Sequence, residues 1–152
     1  MKDIIAVRGT KNVGKTTTIK MALQLFLKKY QSHYRPEDVH YIKNSADIVV
    51  AITITIDKDG VSVIVIVIFA SAGDTAEILQ KLLTEYIGHL DWSILVCATK
   101  KWGKTVEIIE NYRPKKSLHW VEKEPAAEGK QKSDNTKKSY EILDHIDFYL
   151  KH

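Results

Sequence analysis

At 152 residues with 44% hydrophobic content, the chain has the length of one packed domain and is short for two. Its formal charge of +4, from 23 basic against 19 acidic residues, suits an anionic ligand but lacks the basic excess of a histone-like binder. The single cysteine, Cys97 in the apolar run "SILVCA", excludes a disulfide framework and a cysteine zinc site, and reads as a buried inert thiol.

The start "MKDIIAVRG" has only a short apolar run before Arg8, unlike a secretory leader. The most hydrophobic region, residues 48–69, is broken by "DKDG", unlike a membrane helix. A cytoplasmic protein with no membrane partner is therefore expected.

In chain order, "DIIAVR" (3–8) reads as a buried strand ending at a glycine. After the stretch "GTKNVGKTTT" (9–18), Ile19, Ala22, Leu23, Phe26, Leu27 and Tyr30 recur at the spacing of a helix with one buried face. "QSHYRPEDVHYIKNSA" is polar, contains Pro36 and reads as a connection with a short strand at "VHYI". "DIVVAITITI" alternates Ile52, Ile54 and Ile56 with Thr53 and Thr55, a strand with two unlike faces. "DKDG" supplies a hairpin turn, and "VSVIVIVIFA" has the β-branched apolar character of a central strand covered on both faces.

"DTAEILQKLLTEYIGH" reads as a helix, with Asp74 or Thr75 as N-cap and Glu77 placed for a capping box. "WSILVCAT" is a further buried strand, "KTVEIIENY" a brief helix ended by Arg113 and Pro114, and "SLHWVEKE" a strand near a sheet edge. Residues 122–139 are charged and small, without large apolar side chains, and are expected to form a mobile loop. "YEILDHIDFYLKH" closes the chain as a helix. This order predicts a single α/β domain over residues 1–152. It would be a three-layer α/β/α sandwich, its sheet mostly parallel, of about five strands with one antiparallel hairpin strand.

Gly9, Gly14, Lys15 and Thr16 satisfy G-x-x-x-x-G-K-[ST] between a predicted strand and a predicted helix. The glycines let backbone N–H groups turn inward to phosphate oxygens. Lys15 reaches the β and γ phosphates, the Thr16 hydroxyl suits Mg²⁺, and the following helix offers the positive end of its dipole. The nucleotide-contacting set is then Gly9, Thr10, Lys11, Asn12, Val13, Gly14, Lys15, Thr16 and Thr17.

On these residues the chain resembles the P-loop nucleoside triphosphatase superfamily. "NVGKT" is similar to the loop of Era-like and Ras-like GTPases, and "GTKNVGKTT" to that of the small GTP-binding accessory protein of molybdopterin dinucleotide synthesis, which often has lysine at the position of Lys11. The ParA-like ATPases carry a signature lysine where this chain has Thr10, which disfavours them. The resemblance implies binding of ATP or GTP with Mg²⁺.

Two carboxylates of the GTPase pattern are missing. Where an Asp would end the central strand, the chain reads Ala70, Ser71, Ala72 and Gly73, so Asp74 becomes the candidate acidic group for metal and catalysis, alongside Lys15 and Thr16. Ser71 is a candidate contact to metal-bound water or phosphate, and Asp47 lies at the same sheet end if its strand is antiparallel. In place of the guanine-reading Asn-Lys-x-Asp stand Thr99, Lys100, Lys101 and Trp102. Lys100 is a candidate to cover a base with its stem and Trp102 to stack on one, but the base is left open between adenine and guanine.

Three readings remain: a slow Mg-dependent triphosphatase, a small nucleoside or nucleotide kinase, and a non-enzymatic nucleotide-gated binding module. The kinase needs cations beyond its three arginines, Arg8, Arg35 and Arg113, unless lysines of a 122–139 lid supply them. The third would use the basic clusters Lys100, Lys101, Lys104 and Arg113, Lys115, Lys116 for a protein or nucleic-acid partner.

Overall fold

The computed structural model describes residues 2–11, 13–73, 75–112, 117–127 and 129–152. Along the chain run β1 (Asp3–Arg8), α1 (Lys15–Lys29), β2 (Val39–Asn44), β3 (Ile48–Lys58), β4 (Val61–Ala70), α2 (Ala76–Lys81), β5 (Ile94–Thr99), α3 (Lys104–Tyr112), β6 (Leu118–Glu122) and α4 (Gln131–Lys151). The strands form one sheet in the order β2-β3-β4-β5-β1-β6.

The α/β class is as expected, but the sheet differs from the mostly parallel, five-stranded layer. It has six strands, is mixed and curls into a half-barrel. β3 runs antiparallel to both β2 and β4, whereas the β4–β5, β5–β1 and β1–β6 pairings are parallel. The added strand is β2, expected only as a short strand within a polar connection. As an edge strand with no fully buried residue it has no hydrophobic alternation to reveal it, and its register shifts between Tyr41 and Lys43.

Strand alternation sorts the apolar residues into two cores, one on each face of the sheet. Ile5 and Val7 of β1, with Ile52, Ile54 and Ile56 of β3, join Ile19, Leu23 and Phe26 of α1 and Ile142 and Ile146 of α4. Ile4 and Ala6 face the other way, with Leu79 of α2 and Ile109 of α3. The threonine face of β3 falls opposite its isoleucine face, as its alternation requires. β4 is covered on both faces only toward its carboxyl end. Phe69 and Ile68 enter opposite cores, while Ile64 is 69% exposed because the short α2 leaves the far part of the hairpin uncovered.

Local signals set several boundaries. The "DKDG" turn places Asp59 and Gly60 at φ of 52° and 80°, the paired positive values of a tight hairpin turn. Thr75 caps α2 by accepting the Ile78 N–H at 3.2 Å; Glu77 then stands one position too early to complete a capping box. After Lys81 the helix widens into a π-helical turn over Leu82–Tyr86. Cys97 is fully buried, and burial alone pushes its thiol up to about 12, so at neutral pH it is an inert core residue.

The largest departure is at the end of the chain. The loop expected over 122–139 is shorter, because α4 begins at Gln131 and carries Asn135 and Ser139 into buried positions. These turns are held by polar contacts, which a count of hydrophobic residues overlooks. Thr18 Oγ1 donates to Asn135 Oδ1 at 3.3 Å, and Lys123 pairs with Asp134. Farther along α4, Asp147 accepts from Lys29 and from the Tyr30 hydroxyl, tying the end of α1 to the same helix.

α4 also meets β6 through a histidine pair, His119 and His145, with ring centroids 4.8 Å apart and Asp3 at 3.5 Å from His119. Burial lowers the His145 imidazole below its ordinary 6.5; His119 lowers it further, and Glu141, Asp144 and Asp3 partly oppose this. A depressed folded value means that the unfolded chain takes up the proton first. The contribution is complete above the unfolded value and is lost as pH falls through the folded one. Stability is therefore expected to fall as pH drops below the ordinary imidazole value of 6.5, with a shallower slope in His145→Gln, checked by melting temperature against pH. Equal slopes would exclude this histidine as the source.

Candidate phosphate-binding site

The loop after β1 grows out of the sheet between the ends of β5 and β6. Gly9 N–H donates to Thr99 O at 3.4 Å, and Lys123 N–H donates to Arg8 O at 2.8 Å. Gly9 is pressed against the second of these neighbours: a Cβ on it would lie 2.4 Å from Lys123 O. The chain passes Val13, which is buried, and reaches Gly14 at φ 92° and ψ 24°. That left-handed conformation ends the loop and starts α1, where Thr18 N–H donates to Gly14 O at 2.9 Å.

Lys15 opens the helix yet is only 6% exposed. Its ammonium lies back across the loop, donating to Gly9 O at 2.8 Å and Thr99 O at 2.9 Å. A lysine in this position is held by carbonyl oxygens, which an anion's oxygens can replace as acceptors. The first turn of α1 carries no acidic residue of its own against the positive end of its dipole.

Beside these residues is a cleft of about 380 Å³ lined by Lys11, Gly14, Lys15, Thr16, Thr17, Gln131 and Asn135. Among the described residues, two lysines and no carboxylate line it. Five of the expected contacts are thus brought together. Gly9 supports the loop from below, Thr10 and Val13 lie outside the lining, and Asn12 falls outside the described residues. Lys100 does not line the cleft; its backbone N–H donates to Thr105 Oγ1 at 3.0 Å, bracing the turn from β5 into α3, while its side chain is exposed.

Sequence reasoning missed Gln131 and Asn135. Both come from α4, inside the segment expected to be a loop. A Cβ on Gly14 would lie 2.4 Å from Gln131 Nε2 and 2.4 Å from Asn135 Oδ1. Glycine is required here by backbone angle and by the seating of α4. Among 122–139, the one legible hint was the late, lysine-bearing position of the segment.

At the end of β4, the antiparallel β3 brings Asp47 to Ser71. Ser71 Oγ donates to Asp47 Oδ1 at 3.1 Å and accepts from Ile48 N–H at 2.9 Å. Both groups brace the β3–β4 pair, and β5 lies between β4 and the loop's own strand β1. From there Gly73 packs against the backbone of Ala98, while Asp74, the candidate metal and catalytic carboxylate, lies outside the described residues. Among the described residues, no group of three His, Cys, Asp or Glu side chains is arranged to hold a metal ion. Of the residues expected to meet a metal, Thr16 lines the cleft.

The basic clusters are only partly described. Lys101 pairs with Glu124 at 3.2 Å, Lys100 and Lys104 are exposed, and Arg113, Lys115 and Lys116 lie outside the described residues. Trp102 is 70% exposed with the Lys101 ammonium 5.7 Å from its ring. Among the described residues no helix is long and apolar enough to cross a membrane. No protein-family description, curated protein or solved structure matches the chain.

Proposed function

We propose that the chain binds ATP or GTP with its phosphates on the loop from Gly9 to Thr17 and hydrolyses it slowly with Mg²⁺, in a variant of the P-loop α/β/α architecture. The observation that carries this reading is the left-handed Gly14 at the bare N-terminus of α1, beside a buried Lys15 donating to Gly9 O and Thr99 O. The start of α1 and the Lys15 side chain line one cleft that has no carboxylate among its described lining residues.

Lys15 exchanges the two carbonyls for β and γ phosphate oxygens, and Thr16 offers its hydroxyl to the metal. Bound Mg²⁺ neutralises charge on the β and γ phosphates. Hydrolysis breaks the bond between the γ phosphorus and the bridging oxygen as water adds to that phosphorus; the leaving diphosphate keeps the electron pair, and the water's proton passes to solvent. Lys15 and the α1 N–H groups stabilise the charge on the equatorial and bridging oxygens.

Hydrolysis is favoured over transfer to an acceptor because the arginine closest to the loop is already engaged. Arg8 donates to Glu122 at 2.8 and 2.6 Å and lies 4.2 Å over the Trp120 ring. Its hydrogen bonds hold the Glu122 carboxyl below the ordinary carboxylate range, so both partners are charged at neutral pH. The purified protein is expected to release phosphate from Mg·ATP or Mg·GTP above a Lys15→Ala control. That control should bind nucleotide roughly 10- to 150-fold more weakly, the worth of one charge-assisted hydrogen bond. Binding without release above the control would exclude hydrolysis, and equal affinity in the control would exclude the loop as the site.

A further inference from the structure

We propose that α4 supplies the second wall of this site: Asn135 and Gln131 donate from their side-chain amides to the phosphate anion seated on the loop. This rests on the loop being the phosphate site.

Asn135 is 5% exposed and yet lines the cleft, so its small open surface is turned to the ligand space. Its Oδ1 accepts from Thr18 Oγ1 at 3.3 Å, which orients the amide. The Nδ2 donor is 3.0 Å from the position a Gly14 Cβ would take, and Gln131 Nε2 is 2.4 Å from it. Both amides from another part of the chain thus stand directly against the glycine at the head of α1; Asn135 Oδ1, 2.4 Å from that position, is taken up by Thr18, which leaves its Nδ2 and Gln131 Nε2 as the donors.

Neighbouring positions on α4 divide the charge. Asp134 turns its carboxylate to Lys123, and Asn135 turns a neutral amide to the cleft. Among the described residues lining the cleft, an anion therefore meets no carboxylate. The wall is also preorganised, because Lys123–Asp134 ties one end of α4 to the end of β6, and Lys29 and Tyr30 on Asp147 tie it farther along to the end of α1.

The test compares affinity for Mg·ATP and for inorganic tripolyphosphate in the wild type, Lys15→Ala, Asn135→Asp and Gln131→Glu, with a denaturation midpoint for each. Asn135→Asp keeps size and shape but puts a carboxylate against the anion. It is expected to weaken both ligands by at least about 30-fold, less at high salt, with Gln131→Glu weakening them by less. A misfolded Asn135→Asp is recognised by its midpoint, and the half-buried Gln131 then carries the test. Loss of affinity in Lys15→Ala with none in either folded α4 variant overturns the second wall and leaves the loop assignment standing. Equal binding by wild type and Lys15→Ala overturns the loop assignment itself.

Discussion

Replacing Gly73 with alanine is expected to cost about 3 kcal/mol of folding stability, near the upper end for overpacking a well-filled site. A Cβ on Gly73 would lie 2.1 Å from Ala98 O and 3.1 Å from Ala98 C, with the backbone at φ 156°. Relief is hard to find because the obstacle is main chain. All six residues of β5 are buried, and the strand is hydrogen-bonded on both sides, to β4 and to β1. The carbonyl that follows, Thr99 O, accepts from the Lys15 ammonium. The same substitution should therefore weaken nucleotide binding as well as lower the urea midpoint. A midpoint within about 1 kcal/mol of wild type would mean that the Ser71–Gly73 segment can move off β5 at little cost.

The second large effect is predicted at the ion pair beneath the loop. Lys123 is 0% exposed, its backbone carbonyl packs on Gly9, and its ammonium is bonded to Asp134 in the first turn of α4. Asp134→Ala strands a charge with no route to water and removes a carboxylate that favours the helix N-terminus. The expected loss is about 3 kcal/mol. Lys123→Met strands the other partner, but the Asp134 side chain is 28% exposed and water can take over its hydrogen bonds. That loss should be nearer 1 kcal/mol, and the double variant Lys123→Met with Asp134→Leu should be no worse than Lys123→Met alone. Equal losses in the two single variants, measured by urea denaturation, would show that desolvation of Lys123 does not dominate. Because α4 carries Gln131 and Asn135 to the cleft, Asp134→Ala should also reduce affinity for Mg·ATP.

Several elements were legible because their signals are local. The alternation of Ile52, Thr53, Ile54, Thr55 and Ile56 separates a core face from an outer one whatever the sheet order. The apolar spacing of Ile19, Leu23 and Phe26 likewise orients α1 without reference to its partners. β2 was only partly legible, since a strand at a sheet edge needs no hydrophobic alternation. α4 was read as starting too late because its first turns are secured by Asp134, Asn135 and Ser139, residues that look like loop residues when nothing is known of what they meet.

The division is clearest at the loop. Gly9, Gly14, Lys15 and Thr16 determine a curled backbone, a helix start and an ammonium within eight residues, and those properties follow from short-range sterics and hydrogen bonding. The sequence alone therefore determines a glycine-bounded loop that runs into a helix with a lysine at its head. Only the tertiary structure decides what stands beside it. β5 is inserted between β1 and β4, Asp47 is brought to Ser71, and the Gln131 and Asn135 amides are seated against Gly14, with Asn135 117 positions from its hydrogen-bond partner Thr18. Such contacts are set by strand pairing and helix seating over long separations, where the gain of a buried polar contact appears only after both elements are in place.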